Sequence, residues 1–388
     1  KDKRSMSKKL KFVDVFAGAG GLSCGLEMAG LECILGVDSN KYAMETFNIN
    51  HRKACVYCGD ITKLTNKNIM KLTKNEKIHA VVGGPPCQGF STVGTGNPND
   101  KRNTLFLEFV RIVKLLKPEF VVVENVTGLL AKKNEKTLLN IFQKFQVLGY
   151  NLDVQVMSSE KYGVPEKRRR TIIIGTRINK VPIFPKITHD VILAKTHRPA
   201  ITVGDVLLDL KTKKGHLINH DIAAAQLSSN LDKRRLARIP EGRGIRYEKD
   251  EKAFFTTSLK LGVNWSKLKE NRFRQTKYFR LDRAKPSPTI MTHRHSYYHP
   301  IETRYLTQRE AAKLQSFPND FEFIGPMSAQ WKQIGNAVPP LLGKAIGKVL
   351  VKMYKNQDLN NCSETKSCNS TNTSIKQIRE KAFVYQQS

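Results

Sequence analysis

The sequence contains few acidic residues, little cysteine and no long apolar run. Its 388 residues include 34 Asp+Glu against 66 Lys+Arg, which gives a formal net charge of +32 at pH 7. No stretch approaches the roughly 20 apolar residues that span a bilayer, and the spacing of the seven cysteines predicts no disulfide framework. We therefore expect a soluble, cytoplasmic protein with free thiols. The basic excess favours a nucleic-acid partner, with a solvated basic surface as the alternative.

Residues 11–178 alternate short β-branched apolar runs with amphipathic patterns. This alternation is typical of a parallel sheet covered by helices. We predict strands at residues 12–16, 33–37, 80–83, 120–124 and 171–175, and helices over residues 105–116 and 138–145. The sequence thus predicts an α/β catalytic and cofactor-binding domain in residues 11–178.

The rest of the chain changes character three times. Residues 179–300 lose regular periodicity and are basic, which predicts a separate domain that faces the substrate. Residues 301–354 regain helical spacing, near 307–316 and again after Pro340, and are predicted to return to the first domain. Residues 355–388 are rich in Asn, Ser, Thr, Lys and Gln, so we expect a flexible tail.

A glycine-rich turn follows the first predicted strand. Residues 16–21 read Phe-Ala-Gly-Ala-Gly-Gly, and such a turn lets the backbone approach a ligand at the start of a helix. Asp38 ends the second strand, where a carboxylate can accept hydrogen bonds from ribose hydroxyls. Asp60 follows a further short strand and is a candidate for the adenine amino group. Ser23 replaces the third glycine of the dinucleotide pattern, so a nucleoside methyl donor and a dinucleotide remain equal alternatives.

A single thiol follows the fourth strand. Pro85 and Pro86 fix the backbone before Cys87, at the edge of the sheet where ligands of α/β proteins bind, and a nucleophile benefits from this rigidity. Glu124 follows three consecutive valines, where desolvation would favour a protonated carboxyl and general-acid catalysis. The solvated strand-end carboxylate is the alternative for Glu124, and the small buried hydrophobe is the alternative for Cys87.

The basic run at residues 166–170 precedes the last predicted strand. In an extended segment Arg168 and Arg170 share one face, so both could point into a site, whereas the alternative is a solvated basic cluster. Cys55 and Cys58 are spaced like half of a metal site. No second pair of this spacing exists in the sequence, so we predict no metal.

Taken together, the motifs resemble those of the cytosine-C5 DNA methyltransferases, and the resemblance extends over almost all of residues 11–353. Six segments in the family's order carry it: 14–21 (DVFAGAGG), 84–91 (GPPCQGFS), 124–126 (ENV), 168–170 (RRR), 309–318 (REAAKLQSFP) and 333–340 (QIGNAVPP). Glu166 departs from the family's usual glutamine, and Asp38-Ser39 departs from its usual Glu and aromatic pair. The second departure suggests a less enclosed adenine pocket.

The resemblance implies a Rossmann-like sheet of the S-adenosylmethionine-dependent methyltransferases with a smaller, irregular target-recognition domain. It implies transfer of a methyl group to C5 of a flipped-out cytosine in a specific duplex DNA sequence, through a covalent bond between Cys87 and C6. In this mechanism Glu124 protonates N3, Asn125 supports Glu124 and the backbone, Arg170 contacts O2, and Arg168 orders the pocket.

The resemblance also assigns the binding residues. For S-adenosylmethionine they are Phe16, Ala17, Gly18, Gly20, Gly21, Asp38, Ser39, Asp60, Ile61, Pro86, Asn336 and Ala337. For DNA they are Gln88, Ser91, Arg102, Arg243 and Thr289. The implied source is a prokaryotic cell with the enzyme at its nucleoid, acting on DNA as a monomer, with a cognate restriction endonuclease as a potential partner.

Three alternatives remain open at this stage. A cytosine-C5 methyltransferase acting on transfer RNA would share every catalytic motif, although residues 181–300 contain none of the cysteine that such enzymes usually carry there. The other two alternatives are a catalytically silent nucleic-acid-binding protein and a dinucleotide oxidoreductase. Binding of S-adenosylmethionine rather than a dinucleotide would distinguish the last of these.

Overall fold

The structure is a computed structural model that describes residues 9–86, 101–178, 181–190, 197–207, 210 and 217–356, without the side chains of residues 101–104 and 133. The described residues fall into two compact units. Unit 1 comprises those within 1–158, 169–187 and 338–388, and unit 2 comprises those within 159–168 and 188–337. Within the described ranges, no helix combines the length and the apolar character needed to cross a membrane.

The strands are β1 (Lys11–Val15), β2 (Glu32–Asp38), β3 (Cys55–Cys58), β4 (Ala80–Gly83), β5 (Phe120–Val126), β6 (Asn151–Ser158), β7 (Glu166–Lys167), β8 (Arg169–Thr176), β9 (Ile245–Tyr247), β10 (Arg272–Lys277) and β11 (Ser287–Pro288). The helices are α1 (Gly21–Met28), α2 (Lys41–Asn50), α3 (Asn66–Leu72), α4 (Lys101–Leu116), α5 (Glu135–Val147), α6 (Val203–Leu207), α7 (Asn230–Arg238), α8 (Glu248–Phe254), α9 (Gln308–Leu314), α10 (Met327–Asn336) and α11 (Pro340–Lys355).

Unit 1 is built around a seven-stranded sheet in the order β3-β2-β1-β4-β5-β8-β6. The first five strands of this order pair in parallel, and β8 is antiparallel to both β5 and β6. All five strands predicted from the sequence are present. A parallel sheet was the prediction, and it is wrong at β8. The strand β6 was not predicted, because its buried Asp153 and Gln155 interrupt the apolar pattern.

Helices cover the sheet with the apolar faces that their spacing predicts. Phe106 and Phe109 of α4 each meet Phe145 of α5 edge to face, with ring centroids 6.1 and 6.2 Å apart. Helix α11 packs against α1 at very short range, because Gly25 has no side chain. A Cβ at Gly25 would lie 2.2 Å from the carbonyl oxygen of Pro340. This close packing brings residues 340–355 back to unit 1.

Unit 2 has little regular structure and several small cores. One core gathers Ile239, Ile245, Phe255, Leu259 and Trp265. The strands β9 and β10 form a separate antiparallel ribbon, and β7 pairs with β11 in parallel. Irregular structure agrees with the loss of periodicity in this part of the sequence. The domain boundaries proposed from the sequence remain a prediction.

Candidate active site

Four chain segments meet at one edge of the sheet in unit 1. Val15, Gly83 and Val123 are aligned in neighbouring strands, so β1, β4 and β5 reach this edge together. The antiparallel β8 begins at the same edge, because Arg170 pairs with Val126 near the end of β5. Ligands of open α/β sheets bind beyond the carboxyl ends of parallel strands, so this edge is the candidate active site.

Glu124 and Arg170 form an ion pair at this edge. The Nε of Arg170 lies 2.8 Å from Oε1 of Glu124, and each side chain is 15% exposed. Nη1 of Arg170 also donates to the carbonyl of Arg169. The guanidinium therefore contacts one oxygen of the Glu124 carboxyl group and fixes its position at this edge. The sequence did not predict this pairing, since it depends on the register of two strands far apart in the chain.

The segment that leads to Cys87 passes directly beside Glu124. A Cβ built at Gly84 would lie 2.9 Å from Oε2 of Glu124, so only glycine leaves room for the carboxylate. Nδ2 of Asn125 donates to the carbonyl of Pro85 at 3.0 Å, and Oδ1 of Asn125 accepts from the Val126 amide. Asn125 thus connects the end of β5 to the proline segment. Cys87, Gln88 and Ser91 lie outside the described residues.

The glycine-rich turn has the backbone conformation that its composition predicts. Gly18 and Gly20 have φ values of 55° and 89°, and Phe16 adopts φ 63°, which is uncommon for a residue with a side chain. The Gly18 amide donates to Oδ2 of Asp38 at 2.9 Å, and the Asn40 amide donates to Oδ1 at 2.9 Å. The turn and the end of β2 are therefore held together by the carboxylate predicted to bind ribose.

One buried and one half-buried polar pair lie beside this turn, and sequence reasoning missed both. Ser23 donates to Oδ2 of Asp14 at 2.6 Å, and burial raises the pKa of Asp14 to about 7. Nδ1 of His51 lies 2.8 Å from Oε2 of Glu27. The ring of His51 occupies the space that a side chain at position 20 would need, because a Cβ built at Gly20 would lie 2.2 Å from Nε2 of His51. The one signal in the sequence was Ser23 itself, which stands where a dinucleotide site has glycine.

The remaining predicted cofactor residues of unit 1 surround the same edge. Oδ1 of Asp60 accepts from the amide and the hydroxyl of Thr62, so Asp60 begins the short 3₁₀ turn at Ile61–Lys63. Ile61 is buried, Ser39 and Asp60 are exposed, and Pro86 is half-buried. The less enclosed adenine pocket suggested by Asp38-Ser39 stays a prediction.

Known proteins match the chain over most of its length. The family model described as C-5 cytosine-specific DNA methylase matches residues 10–352. The chain belongs to this family. It is 35% identical to the Type II methyltransferase M1.HphI of Haemophilus parahaemolyticus over 355 residues, which covers 90% of this chain and 88% of the relative. It is 34% identical to the Type II methyltransferase M.PspPI of a Psychrobacter species over 363 residues, which covers 89% of this chain and 80% of that relative.

A solved structure shows the same relationship. The crystal structure of a putative DNA modification methyltransferase encoded within an E. coli prophage superposes with a TM-score of 0.67 at 26% identity, and the match covers 89% of this chain and all of that one. The chain is a DNA (cytosine-5-)-methyltransferase of the Rossmann-like class, and it uses S-adenosylmethionine to methylate cytosine in DNA.

The residues at the sheet edge fit S-adenosylmethionine. A Cβ built at Gly18 would have no atom of the described residues within 4 Å, so these residues leave room for a ligand at the turn. Each oxygen of Asp38 accepts one backbone hydrogen bond, which leaves lone pairs for two ribose hydroxyls. Ser23 serves as the partner of Asp14, and this role explains why the third glycine of the dinucleotide pattern is absent.

The other predicted site residues belong mainly to unit 2. Arg168 and Arg170, which were predicted to share one face of an extended segment, do not lie in one strand. Strand β7 ends at Lys167 and β8 begins at Arg169, so Arg168 lies between the two strands. Arg168 is fully buried and donates to the carbonyls of Gly335 and Ile290.

Glu166, which departs from the family's glutamine, is also buried and accepts the Ile290 amide at 2.5 Å. Thr289 donates to the carbonyl of Lys167 at 2.8 Å. Asn336 and Arg243 are exposed, Ala337 is half-buried, and Arg102 lies in α4 with its side chain outside the described atoms. Their assigned roles stay predictions.

Proposed function

We propose that the enzyme methylates cytosine within a specific sequence of duplex DNA, with Cys87 as the nucleophile and Glu124 as the proton donor. The supporting observation is the contact between Gly84 and Glu124, three residues before the thiol. The chain that carries the nucleophile thus runs beside the carboxylate at the edge of the sheet.

The chemistry explains why these residue types are needed. Cytosine C5 is a poor nucleophile. Attack of the Cys87 thiolate on C6, with proton transfer from Glu124 to N3, leaves an enamine whose C5 carries the new electron density. S-adenosylmethionine, when bound, supplies the electrophilic methyl group. Loss of the C5 proton to solvent then reforms the C5–C6 double bond and expels the thiolate, and N3 returns its proton to Glu124.

Arg170 is assigned to the cytosine O2 in this proposal. Its guanidinium is held in place by Glu124 at 2.8 Å, and donors other than Nε can reach a substrate oxygen. Asn125 positions Pro85, and so the proline segment, through a hydrogen bond of 3.0 Å. The target base must leave the stack before this chemistry, which costs a few kcal/mol.

The proposal extends to domains and partners. We assign residues 11–178 and 301–354 to the catalytic domain, residues 179–300 to target recognition and residues 355–388 to a tail. The Type II names of the relatives support a restriction-modification role. We also propose a cognate endonuclease as a partner and a monomeric enzyme. Gel filtration and a search of the neighbouring genes test these two points.

The decisive experiment measures transfer of labelled methyl from S-adenosylmethionine to unmethylated duplex DNA and, separately, to transfer RNA. Label in DNA that Cys87→Ala abolishes supports the proposal, and sequencing of the modified cytosines yields the recognition sequence. Label only in RNA would replace the proposed substrate. Duplex DNA with 5-fluorocytosine at the target tests the covalent step, because fluorine cannot leave C5 as a proton does. A trapped protein–DNA complex is expected with wild type and not with Cys87→Ala.

A further inference from the structure

The ribbon of unit 2 contains a large irregularity. Arg272 pairs with Tyr247, and Lys277 pairs with Ile245. Four residues of β10, at positions 273–276, therefore lie opposite the single residue Arg246 of β9. Bulges of this kind redirect side chains and are frequent beside functional sites. The irregular segment is held from behind by Phe273, whose ring lies 4.9 Å from that of Trp265 in the small core.

The bulge forms one wall of a cavity of about 290 Å³. Arg246, Arg274 and Gln275 line it on the ribbon side, and Phe279 and Tyr297 line the other side. The two rings meet edge to face at 6.0 Å, and the hydroxyl of Tyr297 donates to the carbonyl of Thr289. The volume is at the lower end for small-molecule pockets, so it suits one nucleobase edge rather than a large ligand.

The charges of this cavity select an acceptor-rich ligand. Its lining includes two arginines and no acidic residue. Among the described residues, the Nε of Arg246 is buried without a hydrogen-bond partner, and the side chain of Arg274 is exposed. Two other arginines of unit 2, Arg280 and Arg283, are already engaged. Arg280 donates to four carbonyls and a hydroxyl, and Arg283 pairs with Glu241.

We infer that this cavity binds the major-groove edge of a guanine in the recognition sequence, with Arg274 as the principal reader and Arg246 as a second donor. A two-stranded ribbon fits the major groove, and guanine presents two acceptors there, O6 and N7, which match the fork of an arginine. The inference rests on the proposed function, because it assigns sequence specificity to residues of the same enzyme.

The test compares methylation of a randomised duplex library by wild type, Arg274→Lys, Arg274→Ala and the control Arg234→Ala. Arg234 is an exposed arginine of unit 2 outside the cavity. Lysine keeps the charge and loses the bidentate fork. We expect both Arg274 variants to relax discrimination at one guanine position by roughly tenfold or more, and the control to retain the wild-type preference.

A second arm replaces that guanine by 7-deazaguanine, which lacks the N7 acceptor. Wild type should lose activity on the modified site, and Arg274→Lys should be nearly insensitive to it. If Arg274→Ala instead loses methylation activity equally on all sequences, and the slope of DNA affinity against salt concentration (log–log) falls by about one, Arg274 contacts a phosphate. That result would overturn the inference. Equal behaviour of Arg274→Ala and Arg234→Ala would also overturn it. A wild-type enzyme inactive on every DNA would refute the proposed function and not this assignment.

Discussion

Alanine at position 84 should displace the carboxylate of Glu124. The added Cβ would stand 2.9 Å from Oε2, whereas ordinary contacts begin at 3.4 Å, so the carboxylate must retreat by about 0.5 Å. Among the described residues, the one other atom within 4 Å of this Cβ is the carbonyl oxygen of Glu124 at 3.7 Å. The backbone of Gly84 is not left-handed, so alanine adds no strain there. The substitution is therefore a specific probe of one side chain.

A displacement of this size should lower the rate of the chemical step and leave the stability of the fold almost unchanged. Misplacement by 1 Å can reduce a rate by about 100-fold, so we expect kcat of Gly84→Ala to fall by roughly ten- to 100-fold. Part of the loss comes from the ion pair with Arg170, whose 2.8 Å distance the retreat would change. Binding of S-adenosylmethionine should be unchanged, because the glycine-rich turn is untouched.

Single-turnover transfer of labelled methyl to duplex DNA measures this effect, and thermal unfolding checks the fold. Gly128→Ala is the matched control, because the nearest atom of the described residues to a Cβ there is Cγ2 of Val126 at 3.9 Å. A Gly84→Ala enzyme with the wild-type rate would show that the carboxylate of Glu124 is not needed at its observed place. An equal loss in both variants would refute the argument from the Gly84 contact.

Three further predictions concern single side chains. Asn125→Ala removes the hydrogen bond to Pro85 and should lower kcat by about tenfold with unchanged cofactor affinity, as measured by steady-state kinetics and calorimetry. Asp14→Asn removes a carboxyl whose folded pKa is raised to about 7. As pH rises from about 4 to 7, the unfolding free energy of wild type should therefore fall by a few kcal/mol relative to that of the variant. Unfolding free energies of the two proteins that change in parallel with pH would contradict this. Arg280→Ala leaves several buried carbonyls without donors and should cost about 3–5 kcal/mol in urea unfolding, while the exposed Arg283→Ala should cost little.

The local features of the site could be predicted from sequence because they depend on neighbouring residues. Glycines at 18 and 20 and prolines at 85 and 86 dictate backbone conformation by themselves, and the periodic apolar faces of α4 and α5 depend only on spacing. The five predicted strands followed from β-branched runs for the same reason.

The features that were missed depend on register and on burial. The ion pair of Glu124 with Arg170 requires β8 to run antiparallel to β5, which no local pattern records. Asp14 lies in β1, and its position in the sequence does not indicate that the fold places the Ser23 hydroxyl against its buried carboxyl group. The bulge in β10 escaped prediction because residues 273–276 carry no regular alternation.

The reversed strand has a consequence for engineering. Neighbouring parallel strands need a crossover of roughly a dozen residues or more, usually a helix that packs on the sheet. The strands β6 and β8 are antiparallel neighbours, so the chain leaves the sheet after Ser158 and re-enters it at Arg169 on the same edge. The connecting residues 159–168 belong to unit 2, where Glu166 and Arg168 are fully buried. The antiparallel pair thus lets the chain leave the sheet, contribute a strand to the second unit and return to the adjacent strand without a crossover helix. An engineered exchange of this connection would therefore remove contacts inside unit 2.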